Sequence, residues 1–439
     1  MRLIHATIPL LGLTSVLIIP VTTHAIQPVQ IGSTTVNTVN RYIAQNTADD
    51  FLQQAVEKIE RGDLRGAVDD FTQAIAVEPN LAPVYDYRGF ARLLLGNLQE
   101  AIADFNTAIE LDSNFANAYN HRGVAFDQLG ETQKSIADYT QAIELDPSLV
   151  GAYLNRGVAF EKLGEIQKAI ADYTQAIELQ PDFVGAYNNR GSTYLNQGDI
   201  EQAISDFNQA ININTNDADA YYNRGIAYIQ YGNIEKAMSD FNQAIQLNPN
   251  YALAYNNRGL LYREQGKLEE ALADFSKAIE IEPNLAIAYS NRGTIYLKLI
   301  EIQNAIRDFT QAIKLNPNYA MAYNNRGFAY LQRGEMQKAF ADLNQAIEIN
   351  PYLALAYANR GHAHRKTGDI ESAIADYTQV IEIIPNNAAA YYQRGTALVQ
   401  LGNEEEAIAD FQKAADLFRQ QGQMTFYQNA LDQIQELQQ

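Results

Sequence analysis

The sequence predicts an all-α solenoid of stacked antiparallel helix hairpins. Three observations carry that expectation. Arg88, Arg122, Arg156, Arg190, Arg224, Arg258, Arg292, Arg326, Arg360 and Arg394 recur every 34 residues, each followed by Gly, with no insertion or deletion. Within each interval apolar residues fall twice on an i, i+4, i+7 stripe, the spacing of an amphipathic helix. Gly and Pro punctuate two fixed places, so the loops are short and consecutive helices must run antiparallel. A fixed period of this length marks one supersecondary unit stacked many times. A stacked array presents one long surface, so function is sought in ladders of side chains.

The N-terminus comes first. Met1-Arg2 gives a positively charged start, and Leu3 to Val21 are mostly apolar. Thr23-His24-Ala25 places small residues at −3 and −1 of a cleavage site before Ile26. This is the layout of a secretory signal peptide over 1–25, which implies export to a periplasm, a lumen or the medium. An uncleaved anchor or a buried strand of the mature fold are the alternatives; only the anchor would make a membrane a partner. Residues 26–47 are rich in Thr, Asn, Gln and Val without helical period, and read as a polar tether.

Eleven units follow over 48–421, numbered so that the recurring Gly is position 8. The first is worn: Gln54-Ala55 stand where Arg-Gly recurs, as a solvent-facing terminal repeat allows. In the first helix of a unit, Tyr at position 4, Gly at 8 and Tyr or Phe at 11 share one stripe. In the second, Ala at 20, Phe or Tyr at 24, and Ala and Ile at 27 and 28 do the same. The small residues permit close helix approach, and the aromatic rings fill the space, so both tyrosine rows are expected in the core. Gly at position 15 suits a left-handed C-cap, with the next Asp, Asn or Glu starting the second helix. Pro at 32 stops that helix, and a following Asn or Asp can cap the next one. Beyond 421, Gly422 breaks the last helix. Phe426, Ala430, Leu431, Ile434 and Leu437 then form the apolar face of a final helix over 422–439, the solubilising end of the stack.

This pattern resembles the tetratricopeptide repeat family, as a bacterial-type array of Tyr-x-Asn-Arg-Gly units. The unit starting at 116 reads Tyr119, Arg122-Gly123, Phe126, Ser135, Tyr139, Ala142 and Pro147 against the family's aromatic 4, Leu-Gly 7–8, Tyr 11, Ala 20, Phe 24, Ala 27 and Pro 32. The resemblance implies a right-handed superhelix whose concave wall is lined by the first helices. Departures are Arg for Leu at position 7, Ile300 for Gly at position 15, and Ser113 and Thr215 for Pro. Ile300 and Thr215 mark places of expected softening or changed curvature.

Composition narrows the functional classes. The formal charge is −20, which opposes a phosphate backbone, so nucleic acid is not an expected partner. Cys is absent, which removes disulfides and thiolate metal sites. No phosphate loop, nucleophile elbow or zinc motif occurs, so neither an enzyme nor a cofactor is expected. Two ladders and one local cluster remain. Arg at position 7 recurs with Asp at position 23 (Asp138, Asp172, Asp206, Asp240, Asp274, Asp308, Asp342 beside Arg122 to Arg326, and onward with Arg360), which predicts repeated interhelical ion pairs. Asn155, Asn189, Asn223, Asn257, Asn291, Asn325 and Asn359 occupy position 6, continued by His121 and Gln393. Position 6 borders the concave wall in the family. Such amides can hold a peptide backbone, or each can bond the next unit's backbone. Positions 2, 5, 9, 12 and 13 should face the same groove. His362, Arg365 and Lys366 sit at positions 9, 12 and 13 of the tenth unit, a positive spot that is either an anion site or a solvated charge run. It lacks the position-5 Lys of the carboxylate clamp in chaperone-binding members of the family. His362 and His364 are i, i+2 and face differently, so no metal is expected there. The sequence therefore predicts an exported scaffold that binds an extended protein segment, with a structural spacer in an envelope complex as the second reading and an enzyme with a groove active site as a third that no motif supports.

Overall fold

The computed structural model of the chain describes residues 47–439. The expected signal segment 1–25 and the tether, but for its last residue, lie outside the described residues. Among the described residues there are 23 α-helices and no strand. They divide into two bodies, 47–248 and 249–439.

In the first body the hairpins are α1 (Thr47–Glu60) with α2 (Leu64–Val77), α3 (Ala82–Leu94) with α4 (Leu98–Leu111), α5 (Ala116–Gln128) with α6 (Thr132–Leu145), α7 (Val150–Lys162) with α8 (Ile166–Leu179), α9 (Val184–Gln197) with α10 (Ile200–Ile213), and α11 (Ala218–Gln230) with α12 (Ile234–Leu247). In the second they are α13 (Ala252–Glu264) with α14 (Leu268–Ile281), α15 (Ala286–Lys298) with α16 (Ile302–Leu315), α17 (Ala320–Arg333) with α18 (Met336–Ile349), α19 (Ala354–Thr367) with α20 (Ile370–Ile383), and α21 (Ala388–Leu401) with α22 (Glu404–Gln420), followed by α23 (Met424–Leu437). Within each body the first helices of successive units touch directly, α3 with α5, α5 with α7, α13 with α15 and α15 with α17 among them. Successive second helices make no contact of that extent. The first helices thus form the inner side of each body.

The core repeats with the sequence. Phe105, Phe207, Phe241, Phe275 and Phe309 at position 24 are fully buried. Each ring lies over the helical Gly at position 8 of its own unit. A Cβ on Gly225 would stand 2.7 Å from the Phe241 ring, closer than carbon atoms can approach. Gly at that position is a demand of packing, met despite its cost of about 1 kcal/mol inside a helix. At the C-terminal end, Phe426 and Tyr427 pack on Leu417 and Phe418, and Ile434 joins Leu398 and Phe411, so α23 covers the apolar face that α22 would otherwise expose.

The loops differ from expectation in one respect. Asp63, Asn233 and Asp369 do cap second helices through their side chains. Most first helices, however, start at an apolar residue such as Leu149, Phe183 or Leu353, with no side-chain cap; Asp217 and Asn387 are the exceptions that cap. The Asp or Asn that ends the second helix works instead: Asp112, Asp146, Asn316 and Asn350 each accept from the backbone N–H two residues on. The residue at the helix start is apolar because it packs between units, as Phe183 does beside Tyr173 and Ala176.

Position 15 is left-handed throughout, from Gly62 to Gly402, including Ile300 at φ 62°. Ile300 is the only non-Gly residue with positive φ among the described residues, and 79% of its surface is exposed. A β-branched side chain in that conformation costs about 1–2 kcal/mol. Ile300→Gly should therefore raise the thermal unfolding midpoint of the full chain, by the equivalent of about 1 kcal/mol. An unchanged or lower midpoint would mean that the local strain is absent.

Candidate functional site

The arginine row is a clamp, not a simple pair. Nε and Nη2 of Arg122 donate to the two carboxylate oxygens of Asp138, both at 2.7 Å. The same two-point contact joins Arg156 to Asp172, Arg190 to Asp206, Arg224 to Asp240, Arg258 to Asp274, Arg292 to Asp308, Arg326 to Asp342 and Arg360 to Asp376. It ties the two helices of one unit. The remaining Nη1 reaches back to the preceding unit, to Asn106 from Arg122, Thr140 from Arg156, Thr310 from Arg326 and Asn344 from Arg360. The guanidinium also lies over the Tyr at position 4 of its own helix, 5.3 Å from the Tyr119 ring and 5.7 Å from the Tyr323 ring. Those tyrosines are half-buried partners of the cation rather than core.

One side chain thus binds an Asp sixteen residues ahead and a Thr, Asn or Ser sixteen residues behind. Position 25 carries such a residue from Thr72 to Thr378, a signal present in the sequence that the pairing of Arg with Asp alone does not use. In the worn first unit, Asp70 meets Lys58 instead, Nζ to Oδ2 at 2.7 Å. Burial weighs against these pairs: at Asp240 it pushes the carboxyl above its ordinary value even though Arg224 opposes it. The hydrogen bond to Asp138 raises Arg122 in turn.

The position-6 ladder is buried. Asn155, Asn189, Asn223, Asn257, Asn291, Asn325, Asn359, His121 and Gln393 are at most 8% exposed. Asn155 Nδ2 donates to Asn120 Oδ1 of the preceding unit at 3.2 Å, and Asn359 Nδ2 to Asn324 Oδ1 at 2.9 Å. Asn291 Nδ2 donates to Asn256 Oδ1 at 2.9 Å, and Asn256 Nδ2 passes the chain on to Asn257 Oδ1 at 3.1 Å. His121 Nδ1 sits 2.8 Å from Asp86 Oδ1. At Asn155, Asn291, Asn359 and His121, position 6 therefore bonds position 5 of the unit before it. Burial of the whole row tells against the expectation that these amides grip a peptide, and Asn155, Asn291 and Asn359 spend their donors within the wall, as buried amides must. They bond the neighbouring unit, through its side chain rather than its backbone.

What the inner face exposes lies beside that ladder. Position 2 of four successive units carries Leu253, Ile287, Met321 and Leu355, all half-buried. Val158 and Phe328 at position 9 are also half-buried, whereas Ile226 and Leu260 there are fully covered. Position 13 is solvent-exposed throughout, from Leu94 to Gln400. In the tenth unit His362 and Arg365 are half-buried and Lys366 is exposed. Burial, followed by Lys366 and Arg365, pushes His362 down to about 4, so its ring is neutral at ordinary pH. His364 is turned elsewhere, with Nδ1 3.0 Å from Asp369 and its ring against Phe340.

Comparison with known proteins agrees with this geometry. Family models described as TPR repeat match 89–130, 126–164, 191–232, 259–299 and 361–402. Models described as tetratricopeptide repeat match 150–183, 218–251, 286–319, 320–353, 172–205, 241–273 and 388–421. The chain belongs to the tetratricopeptide repeat family. The tetratricopeptide chain is similar in fold to a chain of the Cut9–Hcn1 hetero-tetramer of the APC/C at 15% identity, with 93% of this chain and 99% of that one covered and a TM-score of 0.51. A tetratricopeptide repeat protein from Parabacteroides merdae is 22% identical over 56% of this chain and 98% of its own, at a TM-score of 0.46. YrrB, described as a TPR protein with an unusual peptide-binding site, is 26% identical over 42% of this chain and 95% of its own, at 0.35. No curated protein matches the sequence. An array of this kind fits a scaffold for protein–protein interaction.

Breaking one clamp leaves a buried carboxylate. Arg292→Gln should lower stability by about 3 kcal/mol, because Asp308 is 2% exposed and loses its counter-ion. The double variant Arg292→Gln with Asp308→Asn should lose less than the single one, and equal or greater loss would contradict the desolvation argument. Asn291→Ala should cost about 1–2 kcal/mol by freeing the acceptor on Asn256, and urea titration reads this loss as it does that of the Arg292 variants; no loss would mean that the Asn291 amide is free for other contacts.

Proposed function

We propose that the chain is an exported scaffold that holds an extended segment of another protein along the inner, first-helix face of its units. The observation that carries this reading is the row Leu253, Ile287, Met321 and Leu355. These apolar side chains recur at one register on touching helices and remain half-open to solvent. Beneath them lies a floor whose amides are already bonded to one another. An extended strand places every second side chain on one side, and a row of equally spaced shallow apolar positions suits that period. Specificity then comes from side chains entering between units, with backbone recognition playing a smaller part than a free asparagine ladder would give.

Export rests on the N-terminal pattern: Met1-Arg2, the apolar run to Val21 and the Thr23-His24-Ala25 junction. The described helices leave this reading open, since none of them is long and apolar enough to cross a membrane.

The peptide track is tested by a photo-crosslinking residue placed at Met321 or, as control, at the exposed outer position Glu348 in the native cell. A discrete adduct from Met321 that Glu348 does not give supports the track; the same adducts from both positions, or none from Met321, contradict it. Export has its own readout. The mature protein should begin at Ile26 by intact-mass measurement and partition away from the cytosol, and a mature chain that retains Met1 in the cytosol would refute it.

A further inference from the structure

The turns that join one unit to the next carry polar residues at positions 31 and 33 in the first eight units, as at Asp112 and Asn114 or Asn316 and Asn318. The last three turns, all in the second body, break that rule. Tyr352 stands at position 33 after α18, Ile384 at position 31 after α20, and Met424 opens α23 after the turn that follows α22. They are 81%, 44% and 57% exposed, well beyond the half-buried row at position 2. Ile384 also gives up a hydrogen bond. Its counterparts Asn316 and Asn350 accept from the backbone N–H two residues on, and an isoleucine side chain has no acceptor to offer. An exposed apolar side chain that replaces a working amide goes against the local preference, which points to a contact surface.

The three side chains form one short row. Hairpins stack in register, so neighbouring turns stand roughly 10 Å apart, the spacing of packed helices. α23 packs on α22 as a further helix of the stack, and Gln421 Nε2 donates to the Asn386 carbonyl at 3.2 Å, which ties the last two turns together. The row is close to self-complementary. Ile384 is at its centre, with Tyr352 and Met424 at its ends. Its charges oppose end for end. Glu348, in the last turn of α18, is exposed and makes no ion pair among the described residues. Arg419, in the last turn of α22, is 60% exposed and meets only Asp416, at 3.6 Å. A two-fold axis through Ile384 brings Tyr352 of one copy to Met424 of the other, a favourable pairing of ring and thioether, and Glu348 to Arg419 at both ends.

We propose that this edge is the contact between two copies of the chain, which pair antiparallel about Ile384. The inference stands apart from the peptide track, which lies on the inner face. A formal charge of −20 on each copy opposes self-association over the rest of the surface, so the contact needs a place where apolar side chains and opposite charges meet. Three side chains from each copy make a small interface, and the dimer is therefore reversible rather than obligate.

The test is sedimentation equilibrium of the full chain, as the cell processes it, over roughly 1–200 μM. The expected result is a reversible mixture of monomer and dimer. Ile384→Asn and Tyr352→Asn each introduce a residue that the same position carries in other units, so the fold holds. Each should raise the dimer dissociation constant about tenfold or more. Glu348→Arg alone and Arg419→Glu alone should also weaken the dimer, because each sets like charges together at both ends. Both changes in one chain should restore it, and so should mixing the two single variants, as a two-fold pairing of these residues requires. A photo-crosslinking residue at Ile384 in the native cell should yield an adduct of twice the chain mass. A monomer at every concentration, or a dimer unaltered by both Asn variants, overturns the proposal. So does a charge exchange that fails to restore pairing, or a crosslink from Ile384 to residues 26–46 of its own chain or to another protein alone.

Discussion

The structure depends on one repeated constraint: a guanidinium at position 7 that must satisfy two helices of its own unit and one of the unit before it. Arg326 binds Asp342 through two hydrogen bonds, Thr310 through a third and the Tyr323 ring through its face. No other side chain carries five donors in a fixed plane, so Lys could not replace it. The clamp sets the angle and the offset at which each hairpin meets the last. Its net contribution to stability is modest, because burying the carboxylate offsets the attraction; at Asp240 burial raises the carboxyl although Arg224 opposes it. The apolar stack of position-24 rings on position-8 glycines supplies the cohesion. The clamp supplies the register.

That register explains why the amides of the inner face are not free. Once successive first helices are held in contact, positions 5 and 6 of neighbouring units face each other at hydrogen-bond distance. Asn291, Asn256 and Asn257 then form a relay with no water between them. A buried polar chain of this kind disfavours any slip along the stack. What this face leaves half-open to solvent is the apolar edge at position 2, Leu253, Ile287, Met321 and Leu355.

Much of this was legible in the residues. The period, the two helices, the left-handed Gly and the final helix follow from spacing and from residues with a single structural use. The arginine and aspartate rows were equally plain. Three things were not. The role of position 25 stayed hidden because Thr, Asn and Ser share no apolar pattern, and a chemical class spread over three residue types does not look like a row. The fate of the asparagines could not be read, because one amide serves a peptide or a neighbouring side chain equally well and only burial separates the two. The missing caps of the first helices reflect a contest between capping and packing, which Leu149 and Phe183 resolve in favour of packing. Ile300 was visible as a departure, and what the structure adds is that the backbone keeps its left-handed turn rather than yielding to the side chain.

The central claim is that each clamp holds its own hairpin to the preceding second helix and nothing further away. Amide hydrogen exchange on Arg326→Gln measures this directly. The account predicts faster exchange in Ala320–Arg333, in Met336–Ile349 and in the preceding helix Ile302–Leu315, with the first body unchanged. Unchanged protection in Ile302–Leu315, or an equal loss throughout the chain, would contradict it.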